Sequence, residues 1–294
     1  MTKVEACMAA KITASKNNKC TLENAAVRRE WSDLISEQRE EYVTAVHFPG
    51  AISRFDDFAL RNECNYTGYQ LYENYDRYAQ DPIHSPLYNG NASSMGGNGA
   101  PDASYKGMPQ AGRTPNIIAS GGDGGCVTEG PFKDMVVNLG PTSMSPFTKL
   151  NIPKNPRGDG TGSNPRCLRR DTNHNAAMGA TADRAYSLIT NNSNIDGFYN
   201  QLLSNPPPKN DPYPWGIHTA GHYIHAVDPG GNPATDPGDP VFYFHHGSLD
   251  RLWWIWQMQD QAARLNAIPT GRGMNMPGMG MGGGVVEVKD CAEC

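Results

Sequence analysis

Long apolar runs are missing from this 294-residue chain. No stretch of 18 apolar residues occurs, so the sequence offers no membrane-spanning helix. An excess of one charge is missing too. The 25 basic and 30 acidic residues give a net charge of −5, without the basic stripe that tracks nucleic acid. Short basic pairs, Arg28-Arg29 and Arg169-Arg170, read as solvated or core-edge ion-pair partners. The N-terminal segment lacks the apolar stretch of a secretory signal, which predicts an intracellular protein. Three sequons, at Asn65, Asn91 and Asn191, would suit a secreted one. The 7 cysteines leave at least one unpaired within a monomer. Periodicity is scarce between residues 84 and 170, which read as a long loop region with short strands around Val136–Leu139. Gly 32 and Pro 23 fit such loops.

Histidine is also scarce, with 8 in the chain, but its placement is not random. Residues 215–257 read WGIHTAGHYIHAVDPGGNPATDPGDPVFYFHHGSLDRLWWIWQ. His218 and His222 lie four apart, on one face of a short helix. A second, aromatic segment brings His245 and His246. Two imidazoles from one helix and a third from another make a three-nitrogen site with positions left open. That is the layout of redox copper or catalytic zinc, not of a closed structural site. No Glu follows His218 in an HExxH arrangement, so the general base of a zinc hydrolase is missing.

Asp239-Pro240 reads as a helix start. From there Phe242, His246, Leu249, Trp253 and Trp256 recur at helical spacing as one apolar stripe. The stripe turns His246 inward as the third ligand. His245, about 100° away around the helix, is assigned to an outer or surface contact. Asp250 is assigned to orienting a ring or pairing an arginine.

The block from Trp215 resembles the second-copper half of tyrosinases and catechol oxidases, the type-3 copper family, and its short ascomycete fungal members most. CTLENAAVRREWSDL (20–34), SRFDDF (53–58), ALRNECNYTGYQ (59–70), DPIHSPLYNG (81–90), SMGGNG (94–99) and NPRCLRRD (164–171) resemble the same family. The resemblance implies that His218, His222 and His246 hold copper, with a small phenolic substrate and O2 as reactants. Substrates would be free phenols, phenolic secondary metabolites or peptide tyrosines. Thr219 stands where some members have an Asn that helps deprotonate monophenols, which favours diphenol oxidation. Cys20, Cys64, Cys126 and Cys167 lie in family-like blocks as disulfide candidates.

The resemblance also implies a mainly α fold. Its core would be an antiparallel four-helix bundle, with long loops and few short strands. The expected organisation is an N-terminal tail (1–19), a tyrosinase-like copper domain (20–260) and a flexible Gly/Met/Cys tail (261–294). One element is absent. The first-copper histidines of the family fall between the SRFDDF-like and ALRNEC-like segments, yet here Ala59 follows Phe58 directly. His47, His84, His174 and His225 match no position of the missing motif. Glu73, Asn74 and Tyr75 replace residues that pack beside the first copper in the family. An incomplete bundle would leave apolar surface to be covered by repacking or self-association. Two functions are therefore carried forward. One is a tyrosinase-like copper oxidoreductase. The other is a mononuclear or inactive copper-binding relative acting as an accessory or binding protein.

Along the rest of the chain, Thr21 reads as the cap of a helix through Arg29–Leu34, and Ser36 as the cap of one reaching Val46. Helices are further expected at Thr181–Leu188, Ile195–Leu203 and Trp215–Ala226.

Overall fold

The computed structural model describes residues 27–47, 66, 68–110, 112–142 and 150–270. Its chain starts with a 3-10 turn at Trp31–Asp33, followed by α1 (Ser36–His47) and α2 (Tyr75–Tyr78). The loop region carries β1 (Gly107–Pro109), β2 (Ile117–Ala119), β3 (Val136–Val137), β4 (Arg166–Cys167) and β5 (Arg169–Arg170). Then come α3 (His174–Ala177), α4 (Ala182–Thr190), α5 (Ile195–Leu203), α6 (Ile217–His225), β6 (Ala226–Asp228), α7 (Val241–Gln259) and α8 (Gln261–Arg264). The structure is mostly helical with few short strands. Among the described residues no helix is long and apolar enough to cross a membrane.

Local chemistry sets several of these boundaries. The Asn194 side chain accepts from the Gly197 N–H at 2.9 Å, and Ser204 closes α5 in the left-handed region at φ 48°. Both ends of α5 therefore fall where expected. Asn173 caps α3 by accepting from the Ala176 N–H. The helix expected through Arg29–Leu34 is instead the 3-10 turn. There the Trp31 N–H bonds to the Tyr72 carbonyl at 3.0 Å and the Tyr72 N–H to the Arg29 carbonyl at 3.2 Å. These cross-chain bonds take backbone groups that a longer helix would need. Thr21, its expected cap, lies outside the described residues.

Four helices pack in a closed ring: α4 on α5, α5 on α6, α6 on α7, and α7 back on α4. The glycine before α6 permits the close approach of α5, because a Cβ at Gly216 would overlap the Leu202 carbonyl. From the other side, Trp31, Tyr42 and Phe244 meet edge to face with centroids 5.1–5.9 Å apart, fastening α1 to α7. Each such pair contributes about 0.5–1.5 kcal/mol beyond its buried area. The strands form three antiparallel pairs, β1–β2, β3–β4 and β5–β6. The last ties the loop region to the exit of α6. A Cys126–Cys167 disulfide spans a sequence separation of 41 within that region. Cys20 and Cys64 lie outside the described residues.

Arg170 departs from the expectation of a solvated or core-edge pair. It is completely buried and ion-paired to Asp239, which is buried with it. Residues 261–270, expected to begin the tail, include α8 and touch the helices at the surface, none of them being buried. Arg264 lies 4.6 Å over the Trp256 ring, and the Thr270 N–H donates to Asp196 at 2.7 Å.

Candidate metal centre

Helices α6 and α7 cross so that one imidazole-rich patch of each faces the other. His218 and His222 have ring centroids 4.8 Å apart, one helical turn along α6. His246 on α7 sits 5.3 Å from His222 and 5.8 Å from His218. The three expected ligand positions are thus brought together. His245 joins them, 4.4 Å from His222 and 4.9 Å from His246. One potential donor atom from each of the four rings lies within 4.8 Å of the others.

Of the outer or surface contact expected of His245, burial excludes the surface one. His245 is the fully buried member of the pair, whereas His246 is half-buried beside Phe242, with centroids 4.1 Å apart. Of the expected stripe, Leu249 and Trp256 are buried and Phe242 and His246 half-buried, but Trp253 is 41% exposed. The buried residues of α7 are Val241, Phe244, His245, Gly247, Ser248, Leu249, Leu252 and Trp256, a broader face than the stripe. Apolar residues occupy much of the circumference of α7. Helical spacing therefore admits two stripes, and only the neighbouring helices select one.

Close approach around His245 has identifiable causes. Gly221, between the two α6 histidines, carries no Cβ, and one there would overlap His245 Nδ1 and crowd the Tyr75 hydroxyl. The Tyr75 hydroxyl is hydrogen-bonded to that same Nδ1. The remaining nitrogen, His245 Nε2, is buried without a hydrogen-bond partner, and so is Nε2 of His246. Burial, and then the neighbouring imidazoles, push His222 and His245 well below the usual histidine range. His218 is lowered to about 4 by burial and by His246. Burial lowers His246 as well. All four are held neutral near pH 7, the form that ligates metal. Asp236 Oδ2 stands 3.5 Å from His222 Nδ1. Burial raises that carboxyl to about 7.

The donor set fits a metal ion. Several neutral imidazoles converge, two carry unpartnered buried nitrogens, and a carboxylate lies behind one ring. Imidazole suits copper and zinc alike. Asp250 pairs with an arginine as anticipated, but with Arg28, at 2.8 Å on the surface. His84 and His174 bond elsewhere, to Asp81 and to the Gln80 carbonyl. His225 is buried away from the cluster, its Nδ1 3.2 Å from the Tyr88 hydroxyl. Tyr88 also donates to Glu73 at 2.9 Å. Burial raises Glu73 to about 8. Nothing in the sequence marks Tyr75, Gly221 or Asp236 as neighbours of this cluster. Their proximity to the rings depends on how distant segments pack. The Phe58–Ala59 junction lies outside the described residues.

Residues 54–259 match the family model for the common central domain of tyrosinase. The chain is 36% identical to tyrosinase-like protein orsC of Emericella nidulans, over 85% of this chain and 78% of that protein. It is 30% identical to tyrosinase P of Aspergillus terreus, over 82% and 78%. A polyphenol oxidase from Thermothelomyces thermophila has a similar fold, with a TM-score of 0.71 at 30% identity, covering 87% of this chain and 77% of that one. The orsC alignment runs over 302 positions, more than the 294 residues here, so parts of that relative have no counterpart in this chain. The matched domain includes both histidine-bearing helices of the cluster, and the chain belongs to the tyrosinase family, whose members are tyrosinase-like oxidoreductases.

Proposed function

We propose that this chain is a copper oxidoreductase that oxidises phenols, o-diphenols in particular, with O2. The observation that carries the reading is the convergence of His218, His222 and His246 from two crossing helices, with buried ring nitrogen left unpartnered. Copper bound there would supply single-electron transfer between phenol and O2. The protein's own residues do the rest. His218, His222 and His246 would hold the ion, with Asp236 orienting the His222 ring from behind. These three rings are half-buried and His245 is closed off, so a small aromatic substrate would approach from their side. Phe242, half-buried against His246, supplies an apolar wall for a phenol ring. Thr219 offers no carboxamide to help deprotonate a monophenol, which supports diphenol oxidation.

A second reading is favoured by one specific observation. Among the described residues a single histidine cluster forms, and the sequence lacks the family's first-copper histidines at Phe58–Ala59. One copper transfers one electron at a time, whereas an o-diphenol gives up two to become a quinone. A mononuclear copper-binding relative would then serve as an accessory or binding protein. Copper content and O2 uptake with catechol separate the two. Catalytic O2 uptake by the copper-loaded chain supports the oxidoreductase. One copper per chain without uptake supports the accessory protein, and a chain that retains no copper overturns both.

A further inference from the structure

We propose that the centre takes a single metal ion on four imidazoles, with His245 as the fourth ligand and Tyr75 as the residue that positions it. The proposal deepens the copper reading above and rests on it. Its starting point is the division of labour between the two nitrogens of His245. Nδ1 is occupied by the Tyr75 hydroxyl, while Nε2 is buried with no partner. A ligating histidine ordinarily has this pattern: one nitrogen on the metal, the other donating to an outer group that fixes the tautomer and the ring. His222 also has a carboxyl group near one ring nitrogen, Asp236 Oδ2 at 3.5 Å from Nδ1. The four rings also fall within reach of one ion. Their donor atoms lie within 4.8 Å of one another. Imidazole nitrogens on one metal at about 2.0–2.1 Å lie roughly 3.3 Å apart in a tetrahedron and at most ~4.2 Å apart when opposite, so shifts of up to about an ångström per ring close the site.

The surroundings favour His245 as a ligand over His245 as filler. Gly221 leaves α6 open where a Cβ would overlap His245 Nδ1, so the ring packs directly against the helix that carries His218 and His222. Tyr75 belongs to the YQLYENY segment, where this chain departs from the family resemblance beside the missing first copper. The departure supplies the hydroxyl that holds His245. Imidazole nitrogens suit copper, which four such rings would hold here.

The test uses the full chain loaded with Cu(II), read by metal analysis and by nitrogen hyperfine coupling in electron paramagnetic resonance. One copper per chain coupled to four nitrogens is expected. His245→Gln should lower the number to three. Tyr75→Phe should weaken copper retention about 10–100-fold with the helical circular dichroism unchanged, as outer partners of ligating histidines do. Three coupled nitrogens in the unaltered chain, or two coppers per chain, would overturn the proposal while leaving copper binding intact. So would Tyr75→Phe protein with unchanged affinity and spectrum, a measurement that stands even if His245→Gln fails to fold. A chain that binds no copper overturns this proposal together with the copper reading.

Discussion

Arg170 and Asp239 form a bidentate ion pair with neither side chain exposed, at 2.6 Å from Nη2 to Oδ1 and 3.0 Å from Nε to Oδ2. Burial alone would raise the Asp239 carboxyl, but the guanidinium and its hydrogen bonds hold it below the usual range. Asp239 also accepts from the Val241 N–H at 3.0 Å, at the head of α7. Arg170 further donates to the Met95 carbonyl at 2.6 Å. One ion pair thereby joins the loop region to the helix that carries His245 and His246.

Asp239→Asn leaves the Arg170 charge buried without its counter-ion. Breaking a buried pair from one side costs about 3–5 kcal/mol. Denaturant unfolding should show a loss of that order. Replacing both partners with apolar residues should recover much of it. If Asp239→Asn were neutral, the pair would not be what anchors α7.

Gly221→Ala places a methyl group against His245 Nδ1 and the Tyr75 hydroxyl. Overpacking a core of this kind costs about 1–3 kcal/mol. The thermal midpoint and copper retention should fall together. Gly158→Ala, where an added Cβ meets nothing within 4 Å, should change neither. Equal behaviour of the two variants would mean that the approach of His245 to α6 is not tight.

Glu73 predicts a pH dependence. Burial lifts its carboxyl from 4.5 to about 8, against the hydrogen bond from Tyr88. Between those values the folded chain keeps a proton that the unfolded chain has released. The stability from this group is therefore complete below 4.5 and is lost as pH rises toward 8, at up to ~1.4 kcal/mol per pH unit. Glu73→Gln, neutral at every pH, should flatten the profile of thermal midpoint against pH over that window. Parallel profiles for the two proteins would show that Glu73 stays ionised when buried.

Legibility in the sequence tracked the range of the interactions. Helix α5 was legible end to end, because Asn194 caps it and Ser204 ends it through bonds a few residues long. His218 and His222 were legible because a spacing of four places both on one helix face. The loop character of residues 84–170 followed from glycine and proline content, but the β5–β6 pairing did not. Its strands come from segments nearly sixty residues apart, and nothing in either announces the other. Arg170 gave the least warning. A basic pair reads as solvated until a distant carboxylate is found buried against it.

By itself the sequence determined the family, the α6 face that carries His218 and His222, and the adjacency of His245 and His246, since a helical repeat is fixed by backbone geometry within a few residues. Only the tertiary structure decided which adjacent histidine is buried, and that the Tyr75 hydroxyl, 170 positions away, bonds to it. Burial and ring orientation depend on which surfaces meet. On a helix with apolar residues on more than one side, that choice belongs to its neighbours.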